Sequence, residues 1–152
     1  MTAPAVGTTM PDIQLISPDG RESLLATRLG DQGAVVFFMR AASCPICVAH
    51  AATAIRMAEA GELGGARLVV ITPGDARDAA AVARRLKSPL ATVAASGTGH
   101  ANAGLGSTLL IQHSGTFVLD ASGTVLHAQT SVLPTGNFSA DAVRDALGVR
   151  AG

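Results

Sequence analysis

The sequence predicts a single α/β domain with a parallel core, and three observations carry that expectation. Two short apolar runs, AVVFFM and RLVVIT, have the length and β-branched content of buried strands. Each is followed by a helix-forming stretch without internal Gly or Pro once its first turn is passed, and strand–helix alternation at this length indicates βα units. The chain of 152 residues is ordinary for one domain and long enough to bury a core without disulfide staples.

Taken in order, the opening residues are small and polar, so residues 1–8 are expected to be flexible. The stretch DIQLISPDGRESLL places alternating residues on either side of Pro18-Asp19-Gly20, which is turn chemistry and predicts an N-terminal hairpin. The run Ala34 to Met39 predicts a buried strand, and the Ala-rich segment after it a helix running towards Glu62, ended by Gly64-Gly65. ARLVVIT predicts the second buried strand, followed by Pro73-Gly74 and a helix from about Asp75 to Leu86. Beyond Pro89, LATVAASGTGHANAGLGSTLLIQHSG is rich in Gly and Ser and carries no clear periodicity. GTFVLD and GTVLHAQ, joined by Ala121-Ser122-Gly123, predict an antiparallel hairpin. Ser139 caps a last helix, ADAVRDAL, with Asp141 in its first turn and Gly148 past its end.

Composition narrows the function classes. With 11 basic and 11 acidic residues the formal charge is zero, and Trp and Tyr are absent, so neither a nucleic-acid footprint nor a base-stacking surface is present. The longest apolar runs fall far short of the roughly 20 residues that span a bilayer. No basic n-region or apolar h-region opens the sequence, and a cytoplasmic protein is expected. In that compartment a close cysteine pair is redox-active or metal-binding more often than structural.

Both cysteines lie in Cys44-Pro45-Ile46-Cys47, between the first buried strand and its helix. If the turn ends at Cys44, Pro45 occupies the first helical position, where its missing N–H costs nothing. Cys44 is then the N-cap, with its sulfur facing free backbone N–H groups and the positive end of the helix dipole, which favour thiolate. Cys44 is the expected nucleophile and Cys47, one turn further in, the resolving thiol. Plain packing of two small cysteines is the alternative. His50 follows on the same side of the helix and raises a metal reading, but no second cysteine pair exists to complete a closed site. No cofactor and no metal are expected.

Pro11-Asp12 with QLISPDGRESLL, then VVFFMRAASCPIC, then ARLVVITPGDARDAAAVARRL, then GTFVLDASGTVLHA occur in the order found in the peroxiredoxin-like superfamily. The chain resembles that superfamily, which includes the alkyl hydroperoxide reductase, thiol-specific antioxidant and redoxin proteins. Arg40, four residues before the CPxC pair, resembles the subgroup carrying both thiols in one motif. The resemblance implies a thioredoxin-like fold with an N-terminal β-hairpin extension and a central mixed sheet flanked by helices. It also marks departures. Peroxiredoxins place a proline seven residues and a threonine or serine three residues before the peroxide-reacting cysteine, where this chain has Phe37 and Ala41. Where they carry an arginine three residues before the phenylalanine of the TFVLD-like strand, this chain has Ser114.

The candidate catalytic residues are therefore Cys44, Cys47, Arg40, His113 and Ser114. Arg40 would stabilise the Cys44 thiolate by charge. His113 and Ser114 fall in the loop that faces the cysteine motif in this fold, where His113 would serve as acid or base. Thr72-Pro73, at the end of the second buried strand, reaches the same face. The leading reading is a thiol-disulfide oxidoreductase that cycles a Cys44–Cys47 dithiol and disulfide, acting on disulfides and less efficiently on peroxides. Its partners would be a thiol reductant, thioredoxin-like or of low molecular weight, and a disulfide or peroxide substrate. A homodimer is compatible with this reading; nucleic acid and membrane are not expected. The alternatives are a redox-responsive binding or regulatory module without turnover and, third, a metal-binding protein.

Overall fold

A computed structural model describes residues 3–148. The N-terminal hairpin forms as β1 (Gln14–Ile16) and β2 (Glu22–Leu24), paired antiparallel across the Pro18-Asp19-Gly20 turn. Next come β3 (Ala34–Phe38), α1 (Pro45–Glu59), β4 (Arg67–Thr72), α2 (Ala76–Leu86) and β5 (Ala91–Ala95). A two-stranded ribbon, β6 (Ser107–Thr108) with β7 (Ile111–Gln112), precedes the hairpin β8 (Ser114–Leu119) and β9 (Val125–Ser131) and the last helix, α3 (Ala140–Leu147). Seven strands make one sheet in the order β2-β1-β5-β4-β3-β8-β9. β3, β4 and β5 are parallel and the outer pairings antiparallel, so the sheet is mixed, as expected.

The period of β3 divides the core. Val35 and Phe37 face the helices, in a cluster with Cys44, Cys47, Ala51, Ala79, Val82 and Val143. Val36 and Phe38 face the other way, against Ile13, Leu15, Leu25, Leu105 and Phe117. This is the two-residue alternation of a strand covered on both faces. All three α-helices put buried residues into the first cluster, while the N-terminal segment and the 3-10 turns at Leu25–Arg28 and Gly99–Ala103 cover the second face. The buried residues of α1, Cys47, Ala51, Ala54, Ile55 and Met57, follow helical spacing, and the first three are small.

Several boundaries differ from expectation. α1 stops at Glu59 rather than near Glu62, because Gly61 takes a left-handed φ of 74° just beyond the Ala60 C-cap. α2 begins where expected, with Asp75 and Asp78 forming a reciprocal capping box. The unassigned stretch after Pro89 contains β5, whose small alanines hid a strand that long-range pairing with β4 creates. Within the stretch 1–8, expected to be flexible, the far end meets the β8–β9 hairpin: Gly7 N–H donates to Val125 O at 2.8 Å, and Val125 N–H to Thr8 O at 2.8 Å. Residues 1 and 2 lie outside the described part. Among the described residues no helix is long and apolar enough to cross a membrane.

Candidate active site

β3 delivers the chain to the carboxyl end of the parallel strands, where Met39 N–H still donates to Ile71 O. A turn over residues 40–43 then leads into α1, closed by the Cys44 N–H donating to Ala41 O at 3.1 Å. Cys44 is the N-cap, with extended backbone (φ −71°, ψ 111°), and Pro45 stands at the first helical position. The Cys47 N–H, one of the amides the helix leaves free, donates to Cys44 Sγ at 3.3 Å. Both cysteines are free thiols.

The two sulfurs have different surroundings. Cys44 is only 1% exposed, but it sits between exposed Ser43 and exposed Pro45 and Ile46, at the rim of the core. Cys47 is fully buried inside that rim, where the backbone N–H of Arg40 donates to its Sγ at 3.3 Å and the Asn137 amide at 3.7 Å. Burial pushes the Cys44 thiol up, yet the side chain and N–H of Cys47 and the guanidinium of Arg40 together outweigh it and hold Cys44 below its ordinary value. For Cys47 burial prevails, reinforced by Cys44, and its thiol is pushed up to about 12 against the opposing Arg40 N–H and Asn137 amide. One thiol is poised to ionise and the other to stay protonated.

Arg40 is thus at the site twice, through its side chain at Cys44 and its backbone N–H at Cys47. Ser114 is not in a loop: it is the first residue of β8, fully buried, and its Oγ accepts from Asn137 Nδ2 at 2.8 Å. It joins the cysteine pair through that amide. His113 sits apart from this network, with its ring bonded to the Thr108 hydroxyl at 2.6 Å and its N–H donating to Gly106 O. No described hydrogen bond links it to either sulfur. Thr72, fully buried, donates to the Pro73 carbonyl at 3.0 Å, as a strand end would.

His50 is tied into the same network through one ring nitrogen. Its Nδ1 bonds Asn137 Oδ1 at 2.6 Å, and its ring lies near Phe138 and Phe37, with centroids 5.6 and 6.3 Å away. Among the described residues no three His, Cys, Asp or Glu side chains are grouped to hold a metal ion. Phe37 is fully buried with its ring edge-on to Phe138, and Ala41 packs against the same cluster, so neither places a hydrogen-bond donor by Cys44.

The residue that sequence reasoning missed is Asn137. In LPTGNFS it reads as one more turn residue, since a lone Asn after Pro and Gly is what a turn requires. Nothing in the local pattern shows that the turn after β9 folds it against a cysteine 90 positions earlier.

Comparison with known proteins bears on this arrangement. The model of the Redoxin family matches residues 5–147. No curated protein matches. Among solved structures, the chain is similar to the peroxidoxin BcpB of Mycobacterium tuberculosis, with 25% identity, 96% of this chain and 98% of that one covered, and a TM-score of 0.76. It is similar in fold to reduced Prx3 of Vibrio vulnificus, at 18% identity, 95% and 99% coverage and a TM-score of 0.78. A thiol peroxidase of Chromobacterium violaceum shares the fold at 16% identity, 96% and 87% coverage and a TM-score of 0.71. With the family model spanning nearly the whole chain and two unequal thiols at a helix N-terminus, the protein belongs to the Redoxin family and is a thiol-dependent oxidoreductase of peroxiredoxin-like, thioredoxin-type fold.

Proposed function

We propose that the protein reduces disulfides, and peroxides more slowly, by cycling Cys44 and Cys47 between dithiol and disulfide. The observation that carries this reading is the inequality of the two sulfurs, the first lowered and the second raised in pKa across one helical turn. The Cys44 thiolate attacks one sulfur of a disulfide, forming a mixed disulfide and releasing one thiolate. Cys47, losing its proton as it attacks, then bonds to Cys44 and releases the second thiolate, which takes up a proton. An external thiol reductant, thioredoxin-like or of low molecular weight, restores the dithiol. With a peroxide, Cys44 accepts the terminal oxygen as sulfenic acid while the alcohol or water leaves, and condensation with Cys47 releases water.

One feature favours disulfides over peroxides. The positions that would aim donors at a peroxide hold Phe37, Ala41 and Ser114, and the last is engaged with Asn137. By analogy with missing oxyanion donors, each absent group costs about 10²-fold in rate. Because Cys44 is 1% exposed, either substrate reaches its sulfur only when the surrounding turn gives way. That opening is part of the catalytic step.

The test is to treat reduced protein with insulin, hydrogen peroxide or an organic hydroperoxide, and to follow free thiols with and without a thiol reductant. Turnover with insulin exceeding turnover with either peroxide is expected. Cys47→Ser accumulates a mixed disulfide on Cys44, and Cys44→Ser does not. Slow stoichiometric oxidation by all three oxidants would replace the enzyme with a redox-responsive module that does not turn over.

A further inference from the structure

One fully buried polar side chain beside Cys47, that of Asn137, has no part in the dithiol cycle as described so far. Asn137 is fully buried, and every polar atom of its side chain is engaged. Nδ2 carries two hydrogens and faces two acceptors, Ser114 Oγ at 2.8 Å and Cys47 Sγ at 3.7 Å. Oδ1 meets His50 Nδ1 at 2.6 Å, and the backbone carbonyl accepts from the Thr116 hydroxyl at 2.7 Å. The amide, which stands just past the 3-10 turn Pro134–Gly136, is therefore held from two elements, α1 through His50 and Cys47 and β8 through Ser114. Turning it over would set an oxygen against the sulfur and leave Ser114 without its donor.

Resting on the dithiol cycle proposed above, we infer that Asn137 is the donor that activates the resolving thiol, holding an N–H against Cys47 Sγ as that sulfur becomes a thiolate, with His50 and Ser114 as the positioning residues that keep the amide turned that way. The need is specific to the second step. Burial opposes ionisation of Cys47, and in the free dithiol Cys44 opposes it further. Once Cys44 is bound in a mixed disulfide its charge is gone, and what remains is burial against two donors, the Arg40 N–H and the Asn137 amide. A hydrogen bond to a charged acceptor is stronger than one to the neutral thiol, so the amide contributes most as the proton leaves. In that step the Cys47–H bond breaks, the Cys47–Cys44 bond forms, the bond from Cys44 to the substrate sulfur breaks, and the proton goes to the departing thiolate. The groups around Cys47 are accounted for: Arg40 from the turn after β3, Cys44 from the start of α1, Asn137 from the turn after β9, and His50 behind the amide.

The experiment uses a bis(nitrobenzoate) disulfide, whose two coloured thiolates report separately on attack by Cys44 and on resolution by Cys47. In Asn137→Ala the first release is unchanged and the second slows about tenfold at neutral pH, the loss of a charge-assisted hydrogen bond. The pH at which the second release is half-maximal moves up by about one unit, which a merely structural defect would not produce. Asn137→Asp, which keeps the side-chain shape and the acceptor for His50 but puts an oxygen against the sulfur, slows the second release at least as much. Two releases in the wild type with an unchanged ratio of rates in either variant overturn the role of Asn137 alone. A single release in the wild type overturns the dithiol cycle and this inference with it.

Discussion

The Cys47 N–H and the Cys44 sulfur lie 3.3 Å apart, so the second cysteine of the motif donates to the first from within the same helical turn. Lowering of the Cys44 pKa is thus built into the CPxC spacing: Pro45 starts the helix, and the amide left free two residues later is the one that meets the sulfur. Arg40 adds its guanidinium from the preceding turn. A thiol held low ionises earlier as pH rises. In the Cys47→Ser protein, which keeps that amide, alkylation of Cys44 by iodoacetamide should therefore show a midpoint below 9.0, the ordinary thiol value. Arg40→Ala moves the midpoint up and lowers the rate at neutral pH. An identical midpoint in both proteins would show that the guanidinium has no part in it.

His100 supplies a separate pH dependence, on stability. Its Nε2–H donates to the Met39 carbonyl at 2.8 Å, so its Nδ1 must be the acceptor for the Ser96 hydroxyl at 2.7 Å, and the ring is neutral. Burial pushes its pKa down from 6.5 to about 4, against the raising effect of the Met39 contact. Between those two values the unfolded chain binds a proton that the folded one refuses. Stability is complete above about pH 6.5 and falls as pH drops towards about 4, by up to roughly 3 kcal/mol. Urea titrations at a series of pH values should show this slope in the wild type and a flatter one in His100→Gln, whatever the exposed carboxylates contribute to both. Parallel slopes would mean that His100 is not buried neutral.

The tip of the small ribbon is locally unfavourable. Leu109 and Leu110 occupy the two-residue turn between β6 and β7 with φ of 50° and 68°, values suited to Asn-Gly, and they are 91% and 101% exposed. Left-handed backbone costs a branched-chain residue such as leucine about 1–2 kcal/mol, and side chains this exposed return nothing by burial. The double substitution Leu109→Asn, Leu110→Gly should raise the thermal midpoint, corresponding to about 1 kcal/mol, and leave the reactivity of Cys44 unaltered. A lower midpoint would show that the leucines are held in some other way.

The most local features were readable in advance. The apolar runs that became β3 and β4, the cap residues Asp75 and Ser139, and Pro45 at the start of α1 each depend on a few neighbouring residues. β5 was not readable, since its alanines become a strand only by pairing with β4. The same division separates the site residues. Cys44, Cys47 and Arg40 fall within eight consecutive positions, and the helix start alone brings them together. Ser114 is a candidate by its expected place in the loop facing the cysteine motif, but its partner is an amide from the far side of a hairpin. His113, its neighbour in sequence, points its hydrogen bonds into the ribbon instead, because successive residues at a strand start face opposite ways.

By itself, then, the sequence determined the α/β alternation and the placing of one thiol at a helix N-terminus, because backbone periodicity, proline geometry and free helix amides act over a few residues. Tertiary structure decided how far Cys47 is set apart from Cys44. Burial of Cys47 where α1 packs on β3, and the Asn137 amide brought to it by the turn after β9, follow from long-range packing that no local pattern encodes.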